Sequence, residues 1–231
     1  MASRHAVVES LGMQLATLRG GTVDDLPPAL LDVKIRRVPI PGGDVLLPRP
    51  ANWEQLRHEE AEAGRPIPYW AQPWPSGIAL ARALAKQPPR RGRRVLELGC
   101  GLGLPSIVAA RGGAMVLATD GCTDAIAYAA HAMWLNGVRG EVAHVDWDDH
   151  GDGLADLGPW DLVVASDVLY TRANVETALR LMPRLLAIGG ELRIADPDRA
   201  GARDFLASAR ARFHLWTRED GDVKLHLLTP R

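Results

Sequence analysis

The sequence predicts an α/β fold, doubly wound around a mostly parallel sheet, on three observations. From Pro75 onward, short apolar β-like runs alternate with segments of helical periodicity, the pattern of right-handed βαβ units. The first of those runs ends in a glycine cluster that opens a helix. Such a junction lies at the carboxyl end of the sheet, where folds of this kind bind ligands. The chain closes on two β-like runs flanking Glu219-Asp220-Gly221-Asp222, a hairpin that adds one antiparallel strand.

Taken in order, the first fifty residues stand apart. Val7 to Leu18 has helical spacing, Val33–Val38 and Asp44–Leu47 read as a hairpin around Pro41-Gly42-Gly43, and the polar segment Asn52 to Arg65 reads as an exposed helix or loop. Residues 1–66 are therefore expected to be an N-terminal extension, and 67–231 the main domain. Ser76 can cap a helix through Leu84 that stops before Pro88-Pro89. Arg94–Leu98 is the first strand of the alternating region, and Pro105 suits the first turn of the helix that follows. Met115–Thr119 is the second strand, Thr123–Asn136 a helix closed by Gly137, Glu141–Val145 the third strand and Asp161–Ala165 the fourth. A helix from Val175 to Ala187 carries Pro183 inside it and ends at Gly189-Gly190. Glu191–Ala195, a helix from Ala200 to Arg210, and the hairpin runs Phe213–Thr217 and Val223–Leu228 complete the chain.

At 231 residues, with 47% apolar and 24% charged residues, the chain can bury a sizeable core and lacks the composition of a disordered one. Its formal net charge of −1 gives no overall basic field, so neither a nucleic-acid nor a membrane partner is expected. There is no uncharged apolar run near the ~18 residues of a membrane span, and Met1 to Gly12 lacks the pattern of a secretory signal. Cys100 and Cys122 cannot form a disulfide framework and suit a reducing compartment. The expectation is a cytoplasmic globular protein. The seven histidines show no metal-ligand spacing, so no metal is expected.

The informative segment is Glu97-Leu98-Gly99-Cys100-Gly101-Leu102-Gly103. Gly99, Gly101 and Gly103 let the backbone turn tightly and approach a nucleotide closely. The dinucleotide fingerprint G-x-G-x-x-G fails in both frames, on Leu104 or on Ser106. A carboxylate at Glu97 would also repel a pyrophosphate, whereas it suits a nucleoside with a cationic, phosphate-free end. S-adenosylmethionine meets both conditions. Asp120, at the end of the second strand, is placed to accept hydrogen bonds from both ribose hydroxyls. Asp146-Trp147, after the third strand, borders the adenine position; the other reading is a solvated loop carrying Asp148, Asp149 and His150.

Glu97 to Gly103 resembles motif I of the seven-stranded, Rossmann-like methyltransferases. Pro68-Tyr69-Trp70-Ala71-Gln72-Pro73-Trp74-Pro75-Ser76-Gly77 is similar to the aromatic entry segment of the family-16 protein-lysine methyltransferases, and within them to those that modify the electron-transfer flavoprotein β-subunit. Asp167-Val168-Leu169-Tyr170 matches that family's acidic-x-x-aromatic motif. The resemblance runs from Ile67 to Ala195. It implies a Rossmann-like seven-stranded sheet, S-adenosylmethionine as cofactor, and a protein lysine as methyl acceptor.

On this resemblance Asp167 and Tyr170 stand opposite the donor methyl and stabilise positive charge on the acceptor nitrogen. Their spacing also resembles the Asn/Asp-Pro-Pro-Tyr motif of enzymes acting on nucleobases, but Val168-Leu169 replace the prolines, which favours an alkyl amine. Asp167 could alternatively cap the next helix, and Tyr170 could be a core aromatic. Trp70 and Trp74 form a wall of the cofactor site or an amine pocket, or else belong to the core. Asp196-Pro197-Asp198-Arg199 is a turn with a helix cap or a substrate contact. The remaining alternatives are a small-molecule N- or O-methyltransferase and a non-catalytic cofactor-binding protein of an assembly.

Overall fold

A computed structural model describes the backbone of residues 4–231 and the side chains of residues 8–147 and 153–231. The N-terminal part comprises α1 (Arg4–Arg19), a single helical turn α2 (Pro28–Leu31), the strands β1 (Val33–Val38) and β2 (Val45–Pro50), and α3 (Trp53–Glu62). The alternating region follows as α4 (Pro75–Lys86), β3 (Arg94–Leu98), α5 (Leu104–Arg111), β4 (Met115–Asp120), α6 (Thr123–Leu135), β5 (Glu141–His144) and α7 (Trp147–Asp156). It continues with β6 (Trp160–Ser166), α8 (Arg172–Leu185), β7 (Leu186–Asp196), α9 (Ala200–Ala209), β8 (Phe213–Asp220) and β9 (Val223–Pro230).

β1 and β2 pair as an antiparallel ribbon. The other seven strands form one sheet in the order β5-β4-β3-β6-β7-β9-β8. β5 through β7 are mutually parallel, and β9 alone runs against them, between β7 and β8. The chain enters at β3, winds out to β5, then returns to lay β6 on the other flank of β3. That reversal opens a crevice at the carboxyl ends of β3 and β6, where ligands of such sheets sit.

Successive residues of the central strands feed cores on opposite faces. Val95, Leu162 and Val164 pack with α4, α5 and α6; Leu96, Leu98 and Val163 pack with α7, α8 and α9. Leu11, Leu30 and Leu47 of the N-terminal part share the first of these cores with Ile107 and Tyr128. Polar ties reinforce the docking. The Tyr128 hydroxyl donates to the Leu30 carbonyl (2.6 Å), and the Asn136 side chain bonds both backbone polar groups of Leu46. The Arg19 guanidinium spans Asp124 and Glu60, both nearly buried.

Several elements depart from the expectation. Ser76 is buried inside α4 instead of capping it: Trp74 holds the cap position and Pro75 the first helical one, where a proline's missing N–H costs nothing. Asn52 caps α3 through Gln55 N. The solvated-loop alternative after β5 gives way to α7, a helix despite two glycines. Trp147, Leu154 and Ala155 anchor it to the second core, and such packing outweighs weak propensity. The side chains of Asp148, Asp149 and His150 lie outside the described residues. α8 starts earlier than expected, capped by Thr171 through Asn174 N, and ends at Leu185 because β7 begins there, with a register shift opposite Trp160 and Leu162. Among the described residues, no helix is long and apolar enough to cross a membrane.

Replacing Arg19 by alanine leaves two buried carboxylates facing each other. The loss of stability should be about 2–4 kcal/mol, as for other broken buried pairs, read by urea unfolding. Lysine should recover only part of it, because an ammonium cannot bridge both carboxylates as the guanidinium fork does.

Candidate active site

The glycine loop is clamped from both sides. Gly99 has φ +66°, and a Cβ there would stand 2.7 Å from Val168 Cγ1. Gly101 has φ +52°, and its Cβ would stand 3.2 Å from the Trp70 carbonyl oxygen. Only glycine accepts both the left-handed backbone and the crowding. The loop thus runs between the aromatic segment before α4 and the Asp167–Tyr170 segment after β6. Gly103, at the amino end of α5, completes the turn by donating to the Cys100 carbonyl (2.8 Å).

Asp120 fastens this loop to β4. One carboxylate oxygen accepts from Gly101 N and the other from Cys122 N, each at 2.9 Å. A carboxylate has about four lone-pair positions, so both oxygens can also receive ligand hydroxyls. Burial pushes the Asp120 carboxyl up; the two backbone bonds and nearby His144 oppose that.

Glu97 sits fully buried beneath the loop and off the cleft wall, a position that spacing alone does not reveal. Its Oε2 accepts from Ser106 N (2.9 Å) and from the Ser106 hydroxyl, capping the first turn of α5. Its Oε1 has no partner among the described residues. Burial pushes its carboxyl up to about 8, against the pull of the Ser106 bonds and with a further push from Asp120.

A cleft of about 740 Å³ opens beside the loop. Trp70, Trp74, Gly99, Gly101, Asp120, Asp146, Trp147, Asp167 and Tyr170 all line it; Gly103 and Glu97 do not. Among the described residues its charged lining is mostly acidic: Glu60, Asp120, Asp124, Asp146 and Asp167 against Arg19 and Arg65. Both arginines are bound to Glu60, and Arg19 also to Asp124. The remaining field favours a cationic ligand over a phosphate.

Beyond β6 the chain turns sharply. Asp167 adopts φ +59°, uncommon for a residue with a side chain, and its N–H donates to the Ala195 carbonyl (3.0 Å). It does not cap α8; Thr171 does. Its Oδ1 accepts from the Arg199 guanidinium, and its Oδ2 is buried with no partner among the described residues. Tyr170 is 57% exposed, so it is no core aromatic. Its ring lies 6.2 Å from that of Tyr69, which lies 6.2 Å from Trp74, making an aromatic rim at the mouth of the cleft. Trp74 also donates to the Tyr69 carbonyl (2.8 Å). Trp70 leans the other way, onto buried Tyr128 at 5.0 Å.

Two contributors escaped the sequence reading. Tyr69 stood in the aromatic segment without a role, and Arg199 was read as part of a turn. That turn exists, with Arg199 N donating to Asp196 Oδ1 (2.6 Å), but its side chain reaches Asp167.

The doubly wound sheet thus carries a glycine loop at its carboxyl edge and, among the described residues, a mostly acidic cleft beside it. Residues 75–226 match the family described as a methyltransferase domain, and the chain belongs to that family. It is 38% identical over 136 residues to the electron transfer flavoprotein beta subunit lysine methyltransferase of Xenopus laevis, covering 58% of this chain and 54% of that one. It is 32% identical over 110 residues to the histone-arginine methyltransferase METTL23 of Xenopus laevis, covering 46% and 47%. The chain spans about half the length of these curated relatives. Its fold is like that of the T. thermophilus 16S rRNA N2 G1207 methyltransferase in complex with AdoMet and guanosine, with a TM-score of 0.66 at 18% identity over 86% of this chain and 51% of that one.

The Glu97 environment has a measurable consequence. Unfolded, this carboxyl releases its proton near its ordinary value of 4.5; folded, near 8. Between those values the folded state holds the extra proton, so its contribution to stability is complete below 4.5 and is lost as pH rises toward 8. Calorimetric Tm of the wild type should therefore fall across this window, and Glu97→Gln should flatten the fall. Equal slopes would contradict the assigned environment.

Proposed function

We propose that this chain binds S-adenosylmethionine in the cleft and directs its methyl group to the side-chain amine of a protein lysine. The observation that carries the reading is the meeting, in one acidic cleft, of the glycine loop with Asp120 on one side and Asp167 with Tyr170 on the other. The likeness to a protein-lysine methyltransferase, stronger than that to the protein-arginine one, supports lysine as the acceptor.

The residues present fit the cofactor. Gly99 and Gly101 leave no Cβ between the loop backbone and a ligand, Asp120 has lone pairs for ribose hydroxyls, and Asp146 with Trp147 frames the base. Trp74 closes the rim. Glu97 acts from beneath, by holding the first turn of α5. When bound, S-adenosylmethionine supplies a methyl group on a cationic sulfur, and its leaving group needs no acid.

The rest of the chemistry belongs to the chain. A lysine amine loses its proton at about 10.4 in water and must be uncharged to attack. Partial desolvation against Tyr69, Trp74 and Tyr170 lowers that value. Asp167, at the cleft wall opposite the loop, faces the amine and orients the nitrogen. The carboxylate and the ring faces then stabilise the positive charge that develops there. The exposed aromatic rim favours a protein side chain over a metabolite, which a sealed cavity would suit. Residues 1–66 serve as the extension that walls the cleft through Arg19, Glu60 and Arg65. A reducing, cytoplasmic setting completes the proposal: Cys100 and Cys122 are free thiols, and burial pushes Cys122 up to about 12.

Incubation with tritiated S-adenosylmethionine and a heat-treated cell extract should place label in polypeptide, recovered as methyl-lysine after hydrolysis. Label as methyl-arginine or in the low-mass fraction would overturn the acceptor; cofactor affinity without any label would make the chain a non-catalytic binder. Separately, Asp120→Ala should weaken calorimetric affinity for S-adenosylmethionine at least about tenfold, the scale of one or two lost charged hydrogen bonds. Asp167→Asn should leave that affinity within about twofold while cutting labelling about 100-fold, the scale of a positioned polar group.

A further inference from the structure

We infer that Arg199 is a positioning residue for Asp167, fixing the place and charge of its carboxylate at the cleft wall; the inference rests on the methyl-transfer reading above. The Arg199 guanidinium takes Oδ1 of Asp167 and also meets Oδ2 of Asp196 at 3.3 Å. Asp196, 1% exposed at the end of β7, in turn accepts Arg199 N at 2.6 Å. One cation therefore binds two carboxylates on adjacent strand ends, and the Oδ2 of Asp167 is the oxygen left over. The turn bearing Arg199 cannot drift from its target. A side chain at Gly201, in the first turn of α9, would overlap the Leu169 carbonyl oxygen, so this turn lies directly on the Asp167–Tyr170 segment.

Charge balance gives the arrangement a second role. Asp167, Asp196 and Arg199 together carry one negative charge, matching one cationic nitrogen. Without Arg199 the Asp196 carboxyl keeps its buried place beside Asp167 and loses its counter-charge, so it takes up a proton at higher pH. Burial already pushes the Asp196 carboxyl up, with Asp167 adding to it and Arg199 pulling against it. The neighbouring charges cannot substitute. Asp198 is held by Lys224 at 2.9 Å and by Arg203, with buried His226 beside that group. Glu97 and Asp120 lie on β3 and β4, and Tyr69, Asp146 and Tyr170 on the cleft walls supply no cation.

The test compares wild type with Arg199→Lys, Arg199→Gln and Arg199→Gln/Asp196→Asn. Labelling of the heat-treated extract is followed against pH, and S-adenosylmethionine affinity is measured by calorimetry. Arg199→Gln should cut labelling at least about tenfold with affinity within about twofold, and should move the acid limb of the rate upward by about one pH unit. Lysine should restore most of the rate, and adding Asp196→Asn should bring the limb back down. A wild-type pH profile in Arg199→Gln, or a loss of cofactor affinity in step with rate, would overturn the inference. If the wild type labels nothing, the functional reading fails and the positioning role toward an acceptor fails with it; the charge coupling of Arg199 to the carboxylates is then decided by the carboxyl ¹³C signal of Asp196, assigned by its loss in Asp196→Asn. That titration should move to higher pH in Arg199→Gln and return in Arg199→Lys; no movement would overturn it. Should the glutamine variant not fold, Arg199→Met, which also removes the charge, carries the same titration.

Discussion

The Asp120 carboxylate bonded to Gly101 N and Cys122 N is the constraint on which the site depends. It joins the end of β4 to a loop that would otherwise be a run of glycines with many accessible shapes. With the loop fixed there, Gly99 can lie against Val168 and Gly101 against the Trp70 carbonyl. Three segments distant in sequence thereby become one surface. The same side chain that shapes the backbone keeps lone pairs for a ligand, so folding and binding use one carboxylate.

The cleft is also an electrostatic object. Two arginines enter its lining, and both are bound to carboxylates that belong to the same wall. What remains is acidic, and Glu97 takes Ser106 N in the first turn of α5. An anionic ligand would meet like charge, whereas a nucleoside carrying a sulfonium and an ammonium would not.

Much of this was legible in the residue order. Strands flanking Gly99–Gly103, the acidic end of β4 and the Asp167-x-x-Tyr170 turn declare themselves because each meets a local steric or chemical need. The elements that stayed hidden depend on tertiary packing. α7 contains two glycines and a run of acids, and it is helical because Trp147 and Leu154 find a core. The buried place of Glu97 follows from its bond to Ser106, nine residues away, and no spacing rule expresses it. Arg199 looked like a turn residue since its own backbone is one; only the sheet order brings β7 beside β6 and the guanidinium to Asp167.

The central claim is that this cleft selects a positively charged nucleoside and rejects a pyrophosphate. Parallel calorimetric titrations of the wild-type protein with S-adenosylmethionine and with NAD test it most directly. Saturable one-to-one heat with the sulfonium compound and none with the dinucleotide is the predicted result. Binding of the dinucleotide alone would contradict the account.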